Sequence, residues 1–179
     1  ANVTLTPTID EDGTVTLAGE IVDPGTEDAF ELAVEWGDGG TDTYTYAAGT
    51  TTFSETHRYL DDGPGGSIGS HDYTVSLTLT DDDTGEATDT QTVTVDNVAP
   101  VIDSVSVTQT DENGTVTLSG AYSDTGTQDT HELTIDWGEG TPETVTVSGG
   151  TFSVTHQYLD DNPSGTSSDA YDIDVTLTD

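Results

Sequence analysis

The chain has no cysteine, no methionine and no lysine, and Arg58 is the one strong base among 179 residues. Without cysteine there is neither a disulfide framework nor a thiolate metal site. Without bases, 36 Asp and Glu residues leave a formal net charge of -35. Such a charge repels polyanions, which excludes nucleic acid and acidic membrane surfaces as partners and favours multivalent cations. No apolar run approaches the roughly 18 residues of a membrane-spanning helix. Ala1 opens directly onto a strand pattern, so any signal peptide is expected to be gone.

Large aliphatic residues are also scarce. Leu, Ile, Val and Phe total 35 residues, a proportion that with this charge belongs to disordered chains. Periodicity overrules composition. Threonine alternates with apolar residues in TVTL (14–17), VSLTLT (75–80), QTVTV (91–95), TVTL (115–118), TVTV (144–147) and DVTLT (174–178). Period-2 alternation rich in β-branched residues is the pattern of half-buried strands. Folding is expected to be marginal without screening or bound cations.

The chain is written twice. Residues 11–40 align without gaps on 112–141, with sixteen of thirty positions identical; TFSETHRYLDDGPGG (52–66) aligns on TFSVTHQYLDDNPSG (151–165), and VSLTLTD (75–81) on DVTLTD (174–179). Two domains follow, 1–97 and 98–179, joined at VDNVAP (95–100). In the first copy, strands are expected over 2–8, 14–22, 31–36, 42–46, 51–59, 73–80 and 87–95, separated by Gly/Asp/Pro turns. Seven short strands and no helical period predict an all-β fold of two tandem antiparallel immunoglobulin-like sandwiches. The second copy stops at Asp179, the equivalent of Asp81, and carries no counterpart of 87–95. The expectation is either a longer repeat array or a strand supplied by another chain.

Three motifs together resemble the polycystic-kidney-disease (PKD) domain family: WGDGG (36–40), THRY (56–59) and YTVSLTLTDDD (73–83), repeated as WGEG, THQY and YDIDVTLTD. The resemblance covers nearly the whole chain and departs from the family in the long segment 61–72. It implies a non-catalytic module of secreted or surface repeat proteins, extracellular, used for spacing, adhesion or interaction. Partners would be neighbouring domains of the same array or identical subunits.

Candidate sites follow from the pattern. Leu32, Val34 and Trp36 share one strand face, as do Leu133, Ile135 and Trp137, so each tryptophan is expected in the core. Gly37 and Gly39 then suit a tight turn, not a catalytic loop. A carboxylate at a solvated turn lacks the burial that a glycosidase acid requires. His57/Tyr59 and His156/Tyr158 read as packed pairs with their polar tips hydrogen-bonded; His71 and His131, unmatched between copies, read as surface residues. The acidic loops are the candidate sites, because calcium takes six to eight oxygens from several loops at once. The candidate ligands are Asp23, Asp28, Asp81 and Asp83 at one pole of the first domain. Asp61, Asp62, Asp96 and Asn97 lie at its other pole, with Asp10, Glu11, Asp12 and Asp38 nearby. Asp124, Asp129 and Asp179 belong to the second domain. Ca2+ is the expected ion, stiffening the joint. Competing readings are an extracellular filament subunit and an accessory carbohydrate- or protein-binding module of a secreted hydrolase, a sugar platform being suggested by Tyr44 and Tyr46. Asn2 and Asn113 stand in sequons that could accept glycans.

Overall fold

The computed structural model describes residues 2–25, 27–63, 69–159 and 168–179. The described residues form fourteen strands and no helix, so none is long and apolar enough to cross a membrane. They divide into two compact units, Ala1–Asn97 and Val98–Asp179.

Unit 1 holds β1 (Val3–Leu5), β2 (Thr8–Asp10), β3 (Thr14–Glu20), β4 (Phe30–Glu35), β5 (Thr41–Tyr46), β6 (Thr52–Arg58), β7 (Ser70–Asp81) and β8 (Glu86–Asp96). One sheet runs β1-β3-β6 and the other β2-β8-β7-β4-β5. Alternation decides which side of each strand is inside. In β4, Phe30, Leu32 and Val34 are buried while Glu31, Ala33 and Glu35 face water. In β3, Val15 and Leu17 are buried between exposed threonines. The inner faces close on a core that includes Val15, Leu17, Leu32, Trp36, Tyr59, Val75, Val93 and Val95, all at 0% exposure. Unit 1 is an immunoglobulin-like sandwich.

The first expected strand, 2–8, is two strands. Pro7 has no N–H to give a ladder, so the chain breaks there and changes sheets. Its carbonyl still accepts the Thr94 N–H at 3.0 Å. β1 pairs antiparallel with β3, whereas β2 pairs parallel with β8, an exception to the antiparallel expectation. Of the unusual segment 61–72, residues 64–68 lie outside the described residues.

Unit 2 repeats the plan with β9 (Val101–Val107), β10 (Thr115–Ser123), β11 (His131–Asp136), β12 (Glu143–Val147), β13 (Thr151–Gln157) and β14 (Asp174–Thr178). Its sheets run β13-β10-β9 and β12-β11-β14. Leu133, Ile135 and Trp137 repeat the buried face at 0, 0 and 1% exposure.

Each tryptophan closes its core at a turn. Gly37 and Gly39 have φ of 89° and 95°, and the Trp36 N–H donates to the Gly40 carbonyl at 3.0 Å. Gly37 is doubly constrained, since a Cβ there would also press on the Thr74 carbonyl oxygen at 2.7 Å. The Trp36 indole N–H donates to Asp42 at 2.8 Å, and that of Trp137 to Glu143 at 3.2 Å.

Candidate metal centres

The turn carboxylates are held by their surroundings. Asp38 Oδ1 accepts the Gly40 N–H at 2.8 Å, and its Oδ2 lies 2.8 Å from His57 Nε2. The His57 ring stacks on Trp36 with centroids 4.6 Å apart and planes at 8°, and it meets Tyr59 edge-on. The buried Tyr59 hydroxyl donates to the Trp36 carbonyl at 2.8 Å, closing the turn. Unit 2 repeats the assembly: His156 stacks on Trp137 at 4.7 Å and reaches Glu139 at 3.0 Å, and Tyr158 donates to the Trp137 carbonyl at 2.7 Å. Both Asp38 oxygens thus have partners within the fold, and Asp38 is in none of the acid groups that converge among the described residues. Asp12, likewise, is bonded to Arg58.

Three groups of acids do converge, each with carboxylate oxygens within 4.8 Å of one another. The first is Asp23, Asp28 and Asp81. Asp23 is fixed by an Asx turn, its Oδ1 accepting the Gly25 N–H at 2.6 Å. Asp81, at the end of β7, accepts the N–H groups of Asp83 at 3.0 Å and Gly85 at 2.6 Å. A Cβ at Gly25 would collide with the Asp28 carboxylate, and one at Gly85 with that of Asp81, so both glycines make room for the acids. Asp28 is held above the ordinary carboxylate range. Loss of hydration is the main cause, followed by the charge of Asp23, a hydrogen bond to it, and the charges of Asp82 and Asp83. Asp83 itself stays outside the triad and contributes its backbone N–H and its field.

The second group is Asp124, Asp129 and Asp179 in unit 2. Asp124 Oδ1 accepts the Thr125 N–H at 2.7 Å, and its Oδ2 lies 2.6 Å from His131 Nε2. His131 is 7% exposed, which corrects its assignment to the surface. It occupies the position of Phe30 in the other copy, so its ring takes a core place and its nitrogen turns to the loop. The alignment of Phe30 with His131 was the signal that would have placed it inside. Asp179 Oδ2 is buried, with no hydrogen-bond partner among the described residues.

The third group lies in unit 1: Glu11, Asp61 and Asp62, at 2, 4 and 0% exposure. Both Asp61 carboxylate oxygens are buried without a hydrogen-bond partner among the described residues. The Glu11 N–H donates to the Asp96 carbonyl at 2.9 Å, so β8 positions it through its backbone. The Asn97 N–H is tied to the Gly69 carbonyl at 2.7 Å, and the Asn97 Oδ1 is buried with no hydrogen-bond partner among the described residues. The candidate ligands of this pole therefore divide. Asp61 and Asp62 converge, Asp96 serves with its carbonyl, and Glu11, which the sequence placed at the pole but not among the ligands, completes the triad.

Buried carboxylates at this spacing cannot all be charged without compensation. Two unit charges 4.8 Å apart repel by about 3 kcal/mol at an effective dielectric of 20, and desolvation adds several kcal/mol per ion. Oxygen-only sets of this kind suit a hard divalent cation.

Tyr44 and Tyr46, the candidate sugar platform, are part of the packing of unit 1. Both are half-buried against the core, and the Tyr46 hydroxyl donates to Glu55 at 2.8 Å. Burial and neighbouring carboxylates push both phenols above their ordinary range.

No family model matches the chain, and no curated protein matches it. Among solved structures it is similar to the crystal structure of chicken CNTN1 FN1-FN3 domains, at 11% identity and a TM-score of 0.30. That match covers 98% of this chain, which spans 60% of the length of the other.

Proposed function

We propose that this chain is a non-catalytic, calcium-stabilised structural module of PKD type, working in tandem in an extracellular repeat protein. The observation that carries the reading is the buried triad Glu11, Asp61 and Asp62, with two Asp61 oxygens that no described group satisfies. A divalent cation supplies both the missing partner and the missing charge. The triads at Asp23/Asp28/Asp81 and Asp124/Asp129/Asp179 follow the same chemistry at matched positions of the two copies. Extracellular calcium, in the millimolar range, suits sites built from loop carboxylates.

Thermal melting with calcium titrated into high monovalent salt tests it. Salt removes diffuse screening, so a remaining calcium-dependent rise in Tm reports specific sites. No rise, or an equal rise with magnesium and with sodium at matched ionic strength, refutes the reading. Stiffening of the joint by the same ion belongs to this proposal. Small-angle scattering with and without chelator checks it, and an unchanged particle length refutes that part.

A further inference from the structure

One motif lies outside the acid triads. Residues 111–115 read DENGT, an asparagine with a hydroxyl two residues after it and an acid two residues before it. The hydroxyl completes the acceptor pattern for N-linked glycans. The acid gives a transferase with a basic peptide groove an anionic handle. The turn between β9 and β10 carries the motif, closed by the Gly114 N–H donating to the Asp111 carbonyl at 2.9 Å. Asp111, Asn113 and Thr115 are all exposed.

The shape of the turn does not require asparagine. Asn113 is left-handed, with φ of 57°, but the matched turn of unit 1 places an aspartate, Asp12, at 62°. The contact to β13 does not require the amide nitrogen either. Gln157 Nε2 donates to the Asn113 carbonyl and to its Oδ1, both at 3.2 Å. In unit 1 the Asp12 carbonyl and carboxylate accept from Arg58 in the same way. Asn113 Nδ2 is left with no hydrogen bond among the described residues, and so is the Thr115 hydroxyl. The other sequon differs. Asn2 leads directly into β1, where the Thr4 hydroxyl is engaged, donating to the Ala18 carbonyl at 3.3 Å. Exposure of the turn is also independent of β8. In unit 1, where β8 is in place, Asp10 and Thr14 are exposed at the matched positions and the Asp12 side chain keeps 32% exposure.

We propose that Asn113 is an acceptor for an N-linked oligosaccharide, delivered from a lipid-linked oligosaccharide diphosphate. A bond forms between Asn113 Nδ2 and the anomeric carbon of the sugar. The bond from that carbon to the diphosphate oxygen breaks, the lipid diphosphate leaves with the electron pair, and Nδ2 releases one proton to solvent. Both Gln157 contacts use oxygens of Asn113, so the glycan adds without breaking either. Modification in the cell rests on the extracellular reading above, since such transferases act on exported chains.

The purified, folded full chain is treated with a bacterial oligosaccharyltransferase and its lipid-linked oligosaccharide, and read by intact mass and glycopeptide mapping. One glycan is expected per chain, on Asn113, with no fall in Tm. Thr115→Val keeps a β-branched residue at an exposed strand position and should abolish transfer with Tm unchanged. Asp111→Asn should slow transfer about tenfold, the contribution of one charge-assisted hydrogen bond. Asp12→Asn rewrites residues 10–14 as DENGT and should add a second glycan at position 12. The proposal is overturned if the folded chain takes no glycan although a peptide of residues 106–120 does, because the fold then hides the motif. It is overturned equally if Asn2 is the residue modified, or if Thr115→Val is modified as fully as the parent. Absence of transfer to both chain and peptide also overturns it, and leaves the calcium-dependent melting that tests the reading above untouched.

Discussion

Asp61→Asn should act in opposite directions with and without calcium. In chelator, the wild-type side chain brings a charge within 4.8 Å of the Glu11 and Asp62 carboxylates, at 4% exposure. Removing it relieves up to two repulsions of about 3 kcal/mol each at an effective dielectric of 20, the full amount only where all three carboxylates are charged. The amide keeps polar atoms that lack partners, which costs about 1–3 kcal/mol. The net expectation is a gain of up to about 3–5 kcal/mol, or about 10–40 °C in the melting of a unit this size. In saturating calcium the same change removes a charged ligand. At a hundredfold excess over Kd, a single site contributes about 2.7 kcal/mol, and the variant should lose most of that increment. Calorimetry of both proteins, in chelator and in calcium, gives four transitions to compare. A variant less stable than the wild type in chelator would refute the reasoning, because it would mean that the charge is already compensated within the protein.

The remaining expectations concern the other sites. Asp28 is raised above its ordinary value of 3.8. The folded state therefore binds that proton more tightly than the unfolded one, and its contribution to stability falls as pH rises from 3.8 through the raised value. Asp28→Asn should flatten this decline in chelator melts, and a profile identical to the wild type would contradict it. His131→Phe restores the residue of the other copy but takes the donor from Asp124 Oδ2. Unit 2 should lose about 1–3 kcal/mol in chelator and show a larger calcium-induced rise, read by the same melts. Tyr59→Phe leaves the Trp36 carbonyl without its buried donor, and should cost about 1–3 kcal/mol in denaturant unfolding with the m-value unchanged.

What the sequence made legible followed from periodicity, and what it hid followed from chain paths. Alternation placed Leu32, Val34 and Trp36 inside because a strand has only two faces. The His57–Tyr59 spacing put both rings on one of them. The break at Pro7 was harder to read. Period-2 alternation runs through VTLTPTI without interruption, and only the missing N–H marks the change of sheet. The acid triads show the same limit. Matched positions singled out Asp23/Asp28 and Asp124/Asp129, but a count of loop acids could not separate Asp38, held by its own turn, from Asp61, whose carboxylate has no hydrogen-bond partner among the described residues. That distinction is one of direction, and direction is set by Asx turns, glycine clearances and a histidine stack that no spacing encodes.

The two copies diverge where their loops would carry charge, and the divergence bears on the cation. Phe30 in unit 1 fills core volume and leaves the Asp23/Asp28/Asp81 triad without a nitrogen base. His131 fills the equivalent volume in unit 2 and bonds one acid of its triad at 2.6 Å. A cation approaching Asp124 must share that carboxylate with a ring that is 7% exposed and packed beside Tyr122, centroids 4.9 Å apart. The ring cannot swing away without opening the core, so Asp124 can turn only its free geometry toward the ion. With identical loop aspartates, the unit 2 site should bind calcium more weakly than the Asp23/Asp28/Asp81 site, a difference that arises from one core position and not from the ligands.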